Sequence, residues 1–155
     1  MINFSPIQPG IFVGTCPGNE IDIERLHRGP RITAILNLQT DADFTALGID
    51  WARLQGQYAR HRLTVRRWPI RDFDPDDLER RIHGAVALLG ELRSADHQVY
   101  VHCTAGVGRA PAVVIAFLAW HQGWDLDSAY EYVKRQRACN PYLDRIRAAG
   151  DSAPD

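Results

Sequence analysis

Residues 98–118, QVYVHCTAGVGRAPAVVIAFL, decide how this chain folds. An apolar run at residues 98–101 leads into a short loop, and a second apolar run at residues 110–118 follows that loop. This order predicts a buried strand, a tight loop and a buried helix. Cys103 and Arg109 stand at the two ends of the loop, and the residues between them are Thr104, Ala105, Gly106, Val107 and Gly108.

Such a loop can curl into a cradle of backbone amides that face one anion. Gly106 and Gly108 permit backbone angles that other residues resist, and successive amides then form an anion-binding nest. The positive end of the following helix and the planar fork of Arg109 both favour phosphate. These surroundings also favour the thiolate form of Cys103, which predicts a nucleophile aimed at phosphorus. We expect His102 to hold the loop backbone in shape rather than to act on a substrate.

Asp72 is the candidate proton donor for the leaving group. Phosphoryl transfer depends on positioning and charge stabilisation, but a departing alkoxide also needs a proton. Asp72 lies between a predicted strand and a predicted helix, where a loop can bring it over the cradle. Asp74 is expected to cap the helix that begins at Pro75. The alternative that both aspartates only shape the turn stays open from the residues alone.

Strands and helices alternate along the chain. The predicted strands are Ile11–Gly14, Thr33–Leu38, Leu63–Arg67 and Gln98–His102. The predicted helices are Ile21–Arg28, Asp50–His61, Pro75–Arg93, Ala110–Gln122, a helix capped by Asp125 or Asp127 that runs to Arg137, and Tyr142–Ala149. This alternation predicts one α/β domain at residues 1–149, with a central, mostly parallel sheet of four to five strands flanked by helices, and a tail at residues 150–155.

Composition excludes several classes of function. The formal net charge of −1 argues against a general nucleic-acid binder. The segment Ala110–Trp120 is too short to span a bilayer, and Met1–Gly14 does not have the pattern of a signal peptide. Neither metal-ligand spacing of histidines nor a complete nucleotide-binding motif occurs. We therefore expect a cytoplasmic protein without metal, cofactor, nucleic acid or membrane contact, and the oligomeric state stays open.

Three cysteines do not make a secreted disulfide framework. Cys16 and Cys139 are expected to be small buried apolar residues. The alternative is a protective disulfide between one of them and an oxidised Cys103.

The segment His102–Arg109 resembles the His-Cys-x5-Arg signature of cysteine-dependent phosphatases. Chain length, and an acid that precedes the cysteine, are similar to the dual-specificity phosphatase domains of that superfamily. The segments Phe12–Pro17, Ile32–Asp41, Arg71–Asp74 and Cys103–Ala112 resemble the glucan phosphatases, laforin and the plant starch phosphatases. This resemblance implies Cys103 as nucleophile, Arg109 as phosphate clamp, Asp72 as acid and base, and Phe73 as an aromatic floor for a sugar.

Two features depart from the glucan phosphatases. A chain of 155 residues leaves no room for a separate carbohydrate-binding module. The segment Phe44–Leu47, which we predict to be a loop, is poorer in aromatic residues than the part of those enzymes that grips a glucan chain. Trp51, Trp68 and Tyr142 are further candidates for sugar platforms, and core packing is the alternative for each of them.

The combined prediction is a hydrolase that cleaves phosphate monoesters through a phosphocysteine intermediate. A phosphorylated glucan or other carbohydrate is the first choice of substrate, and phosphorylated Tyr, Ser or Thr in proteins is the second. A catalytically weak phosphate-binding scaffold is disfavoured because Cys103, Arg109 and Asp72 are all present. A sulfur-transfer domain shares a cysteine-ended loop but does not need Asp72.

Overall fold

The central sheet carries the cysteine-ended loop at the carboxyl end of its middle strand. The computed structural model describes residues 2–152. The strands are β1 (Phe4–Gln8), β2 (Ile11–Gly14), β3 (Ala34–Asn37), β4 (Thr64–Arg67) and β5 (Val99–His102). Their order across the sheet is β1-β2-β5-β3-β4, and every neighbouring pair is parallel except β1 with β2. The predicted α/β class with a mostly parallel sheet is confirmed.

Helices cover both faces of the sheet. Within residues 2–152 they are α1 (Glu20–Arg28), α2 (Asp41–Leu47), α3 (Trp51–Arg60), α4 (Pro75–Ser94), α5 (Arg109–His121), α6 (Leu126–Gln136) and α7 (Leu143–Gly150). One face packs against α4, α5, α6 and α7, and the other against α1 and α3. None of these helices is long and apolar enough to cross a membrane.

Strand β5 is buried on both faces, as its unbroken apolar run predicts. Val99 and Val101 join the core on the α5 side, whereas Tyr100 joins the core on the α1 side. Helix α5 is buried along residues 109–118, which confirms the expectation of a central helix. The strand and the helix on either side of the loop are therefore both fixed by the core.

Two elements were not predicted from the sequence. Strand β1 contains Pro6, which has no amide to donate, and it lies at the sheet edge where proline is tolerated. The predicted loop at Phe44–Leu47 is wrong, because these residues belong to helix α2. Thr40 and Asp43 form a reciprocal capping box at its start, and Gly48 ends it in a left-handed conformation.

The register of the sheet brings three strand ends together. Gly14 of β2 and Asn37 of β3 both lie opposite His102, the last residue of β5. Segments that follow these strands therefore surround the loop that begins at Cys103. Ligands usually bind at this carboxyl edge of parallel sheets.

Candidate active site

Residues 103–108, hereafter the cysteine loop, are held in shape by hydrogen bonds from outside the loop. Each backbone carbonyl from residue 103 to residue 107 accepts one such bond. The donors, in that order, are His102 Nδ1, the Cys16 amide, Arg137 Nη2, Arg137 Nε and the Asn140 amide, at 2.9, 3.0, 3.1, 2.7 and 2.8 Å.

The opposite edge of the loop presents amides. A planar trans peptide points its N–H away from its C=O, so outward carbonyls direct the following amides inward. Within residues 2–152, the amides of residues 104–108 have no acceptor, backbone or side chain. Cys103 lies beneath them with 3% of its surface exposed. This arrangement has the geometry expected of an anion cradle, and anion binding by these amides stays a prediction.

The two glycines of the loop have different roles. Gly106 has a φ of +67°, and a Cβ on it would lie 2.6 Å from the carbonyl oxygen of Gly14. Glycine is therefore required at this position by conformation and by space. Gly108 has a φ of −113°, and a Cβ would meet nothing within 4 Å. The expectation that Gly108 supplies an unusual backbone angle is wrong.

Arg109 is held closely through Nη1 and by longer contacts through Nη2. Its Nη1 donates to Asp43 Oδ2 at 2.8 Å and to the carbonyl oxygen of Ile70 at 2.7 Å. Its Nη2 lies 3.4 Å from Thr104 Oγ1, and its buried Nε has no partner among the described residues. The guanidinium is 4% exposed, so its position is set by the fold. The Nε–Nη2 edge is the one suited to bind two phosphate oxygens.

Asp43 was missed by the sequence analysis. Burial tends to raise the pKa of its carboxyl, but the hydrogen bonds from Arg109 and from the Thr40 amide outweigh burial and lower the pKa. Asp43 is therefore an anion that holds Nη1 of Arg109. Its signal in the sequence was the Thr40-x-x-Asp43 capping pattern, which predicts a helix start but not a contact 66 residues away.

Asp72 and Asp74 occupy different environments. Asp72 Oδ2 lies 3.3 Å from Arg109 Nη2, so its carboxylate reaches the rim of the cradle. Asp74 accepts from the Asp77 amide at 3.0 Å and caps helix α4. The structure thus places one acid at the cradle and the other at a helix end. The role of Asp72 as proton donor stays a prediction.

We expect Asp72→Ala to slow hydrolysis most for esters with poor leaving groups, because those groups need a proton to depart. An activated aryl phosphate should be affected much less. Asp74→Ala is the matched control, and it should lower the free energy of unfolding by about 1 kcal/mol while leaving turnover intact. Steady-state rates on alkyl and aryl phosphates measure both effects. A larger rate loss in Asp74→Ala would reverse the assignment.

His102 contacts the loop backbone through Nδ1, 2.9 Å from the Cys103 carbonyl oxygen, and its role in holding the loop stays a prediction. Burial and the positive charge of Arg109 together lower the pKa of its imidazole from 6.5 to about 4, against the opposing hydrogen bond with the Cys103 carbonyl. Because a carbonyl oxygen only accepts, the proton of the neutral ring lies on Nδ1. The buried Nε2 has no partner within residues 2–152.

This lowered pKa makes stability depend on pH. Between pH 6.5 and pH 4 the unfolded chain binds a proton at His102 that the folded chain does not bind. Stability should therefore fall with falling pH, by about 3 kcal/mol from this group at pH 4. We expect the free energy of unfolding of His102→Gln, measured in urea, to change less between pH 6.5 and pH 4 than that of the wild-type chain. Equal slopes in both proteins would contradict the assignment.

All three cysteines are free. Cys16 and Cys139 are half-buried, and Cys139 packs against the α5-side core. Burial raises the pKa of the Cys16 thiol, a hydrogen bond with Gln39 opposes this, and the charge of Cys103 adds to it. Cys16 lies beside the cysteine loop, because its amide donates to the Thr104 carbonyl at 3.0 Å, whereas Cys139 packs against the core.

The candidate sugar platforms differ in exposure. Trp68 donates to the Arg81 carbonyl at 2.7 Å, and Trp51 stacks on Phe44 with ring centroids 5.0 Å apart. Tyr142 packs against the α5-side core. These three side chains have structural partners. Phe73 is 87% exposed.

Fold and site together are those of the cysteine-dependent phosphatases. The family described as "Dual specificity phosphatase, catalytic domain" matches residues 14–143, and the chain belongs to that family. Solved structures share the fold. Tk-PTP in its active form has a TM-score of 0.76 at 20% identity, covering 96% of this chain and 93% of that one. PTPMT1 has a TM-score of 0.77 at 17% identity, with coverages of 96% and 92%.

Curated relatives include two phosphoglucan phosphatases and laforin. The amyloplastic phosphoglucan phosphatase DSP4 of Castanea sativa is 37% identical over 96% of this chain and 40% of its own length. The chloroplastic phosphoglucan phosphatase LSF1 of Arabidopsis thaliana is 36% identical over 90% and 24%. Laforin of Mus musculus is 29% identical over 92% and 46%. The chain therefore spans less than half the length of each of these relatives.

Proposed function

We propose that this chain hydrolyses phosphate monoesters on glucan chains through a phosphocysteine intermediate. Cys103 Sγ attacks phosphorus and the ester oxygen leaves with a proton, which Asp72 supplies. Asp72 then takes a proton from the water whose oxygen attacks phosphorus, and the phosphorus–sulfur bond breaks to release phosphate and the Cys103 thiolate. The inward amides and the Nε–Nη2 edge of Arg109 stabilise the charge on the phosphoryl oxygens in both steps.

The exposed ring of Phe73 is the observation that carries the choice of substrate. Phe73 follows the proposed acid, is 87% exposed, and has a φ of +54°. A left-handed backbone disfavours a bulky residue by roughly 1–2 kcal/mol. An exposed ring buries little apolar surface, so its packing does not offset this conformational cost. A phenylalanine at this position is therefore better explained by contact with a substrate than by stabilisation of the fold. The apolar face of a sugar is a partner that such a ring can stack against.

Further surface near the site suits an extended substrate. Val107 of the cysteine loop is another exposed apolar side chain, at 41%. A separate groove of about 370 Å³ is lined by residues that include Gly18, Gly48 and Asp50. Gln57 lines this groove while 7% exposed, and its side-chain amide bonds to no other described residue. Hydroxyl groups of a glucan chain would be suitable partners for such an amide.

A protein substrate is the second candidate. It is favoured by the family, and by a match of 33% identity between 59% of this chain and dual specificity protein phosphatase 7 of Homo sapiens. A phosphopeptide needs the same cradle and the same acid. The two candidates therefore differ only in what contacts the substrate beyond its phosphate.

Phe73→Ala tests the choice. We expect activity on solubilised phosphoglucan to fall about fivefold to tenfold through loss of stacking, and activity on a small aryl phosphate to change by less than about twofold. Phe73→Tyr is the matched control and should retain both activities because it keeps the ring. Phe73→Asn should lose glucan activity without losing thermal stability, since asparagine tolerates a left-handed backbone. A strong preference of the wild-type chain for phosphopeptides, with equal effects of Phe73→Ala on both substrates, would favour the protein substrate.

A further inference from the structure

Arg137 lies at the end of helix α6, far along the chain from the cysteine loop. The helix ends at Gln136, and the extended backbone of Arg137 turns its side chain back into the protein. Arg137 is 8% exposed, although it follows two exposed residues, Arg135 and Gln136. A buried guanidinium has to be matched by acceptors.

Acceptors surround the guanidinium on both sides. On the loop side, Nε and Nη2 donate to the carbonyl oxygens of Gly106 and Ala105 at 2.7 and 3.1 Å. On the opposite side, Nη1 donates to Asn3 Oδ1 at 2.8 Å and to Ser5 Oγ at 3.2 Å. The planar fork thus joins two consecutive peptides of the loop to the first strand. A lysine could not make these contacts at once.

The two peptides that Arg137 holds matter for anion binding. With the Ala105 carbonyl fixed outward, the Gly106 amide points inward, and the Gly106 carbonyl likewise directs the Val107 amide. Gly106 is also the loop residue with the left-handed backbone, so its peptides are the ones most free to rotate. A rotated peptide would present a carbonyl oxygen to the phosphate in place of a donor.

We propose that Arg137 is a positioning residue of the cysteine loop, which keeps the Gly106 and Val107 amides directed at the phosphoryl oxygens. This role rests on the proposed phosphatase activity, but it concerns oxyanion binding, which can be measured without turnover. Asn3 and Ser5 hold Arg137 in turn, so strand β1, through Ser5, and the residue that precedes it support the site through polar side chains.

Arg137→Met and Arg137→Lys test this role. Tungstate, an unreactive phosphate analogue, is titrated by calorimetry, and kcat is measured with an aryl phosphate. Removal of a positioned oxyanion donor lowers turnover by about 10²-fold to 10³-fold in other enzymes. We expect Arg137→Met to lower kcat at least tenfold and to weaken tungstate binding at least tenfold, with Arg137→Lys intermediate. Asn3→Ala should shift both quantities in the same direction by a smaller factor.

Two controls separate positioning from stability. Arg135→Met removes an exposed arginine of the same helix and should change neither quantity. Val133→Ala opens the core beneath α6, and it should lower the melting temperature without weakening tungstate binding. Unchanged tungstate affinity and kcat in both Arg137→Lys and Asn3→Ala would overturn the role of Arg137. If tungstate binding depends on Arg137 but the wild-type chain hydrolyses no phosphate ester, the proposed function alone would be overturned. A wild-type chain that binds no tungstate would overturn both.

Discussion

Cys103→Ser is expected to abolish turnover, by a factor on the order of 10⁴ or more. A serine hydroxyl gives up its proton far less readily than a thiol, so it would remain a weak nucleophile at this position. Oxyanion binding should survive, since the cradle consists of backbone amides and Arg109. Phosphate release from an aryl phosphate and calorimetric titration of tungstate measure the two properties separately.

The outcome of Cys103→Ser distinguishes between mechanisms. Retained turnover would show that no phosphocysteine forms. Loss of tungstate binding together with turnover would mean that the cysteine shapes the loop, since the side chain is almost fully buried. The expected pattern, binding without turnover, is specific to a nucleophile that the cradle does not need for its shape.

Arg109→Lys is expected to lower turnover by about 10²-fold to 10³-fold and to weaken tungstate binding as well. The wild-type guanidinium uses Nη1 to hold Asp43 and the Ile70 carbonyl, whereas Nε has no partner in the described part of the chain and Nη2 makes only the longer contacts with Thr104 and Asp72. We therefore expect its Nε–Nη2 edge to bind phosphate. A lysine ammonium can bind either the Asp43 and Ile70 acceptors or the phosphate, but not both at once. The same two assays as for Cys103→Ser apply.

Asp43→Asn is the matched control for Arg109→Lys. It keeps an acceptor oxygen for Nη1 and removes only the charge that stabilises the guanidinium. Its effect on turnover should therefore be smaller than that of Arg109→Lys. If Arg109→Lys bound tungstate as tightly as the wild-type chain, the amides alone would account for binding and the proposed clamp would be wrong.

The sequence predicted those elements that are determined by interactions between residues close together in the chain. The apolar strand, the glycine loop and the apolar helix adjoin one another in the chain, and their burial follows from their composition. Asp74 and Pro75 likewise specify the start of α4 through neighbouring backbone groups. The missed elements carry weak signals of this kind, since α2 has seven residues and β1 contains a proline.

The supporting residues of the site could not be predicted in the same way. Asp43 and Arg137 contact the site across 66 and 31 residues of sequence. In the sequence, Asp43 is typical of a helix cap, and Arg137 of a basic residue near a helix end. Only the register of the sheet, which brings the ends of β2, β3 and β5 together, decides that these side chains face the loop.

The five outward carbonyls of the cysteine loop also tie activity to cooperative folding. Their donors come from residue 16, residue 102, residue 137 and residue 140, and Arg137 is itself held by residues 3 and 5. Local fraying of β1 or of the segment after α6 would release part of the loop even while the central core stayed intact. Enzymatic activity is therefore a more sensitive reporter of partial unfolding at either end of the domain than a spectroscopic signal averaged over the helices.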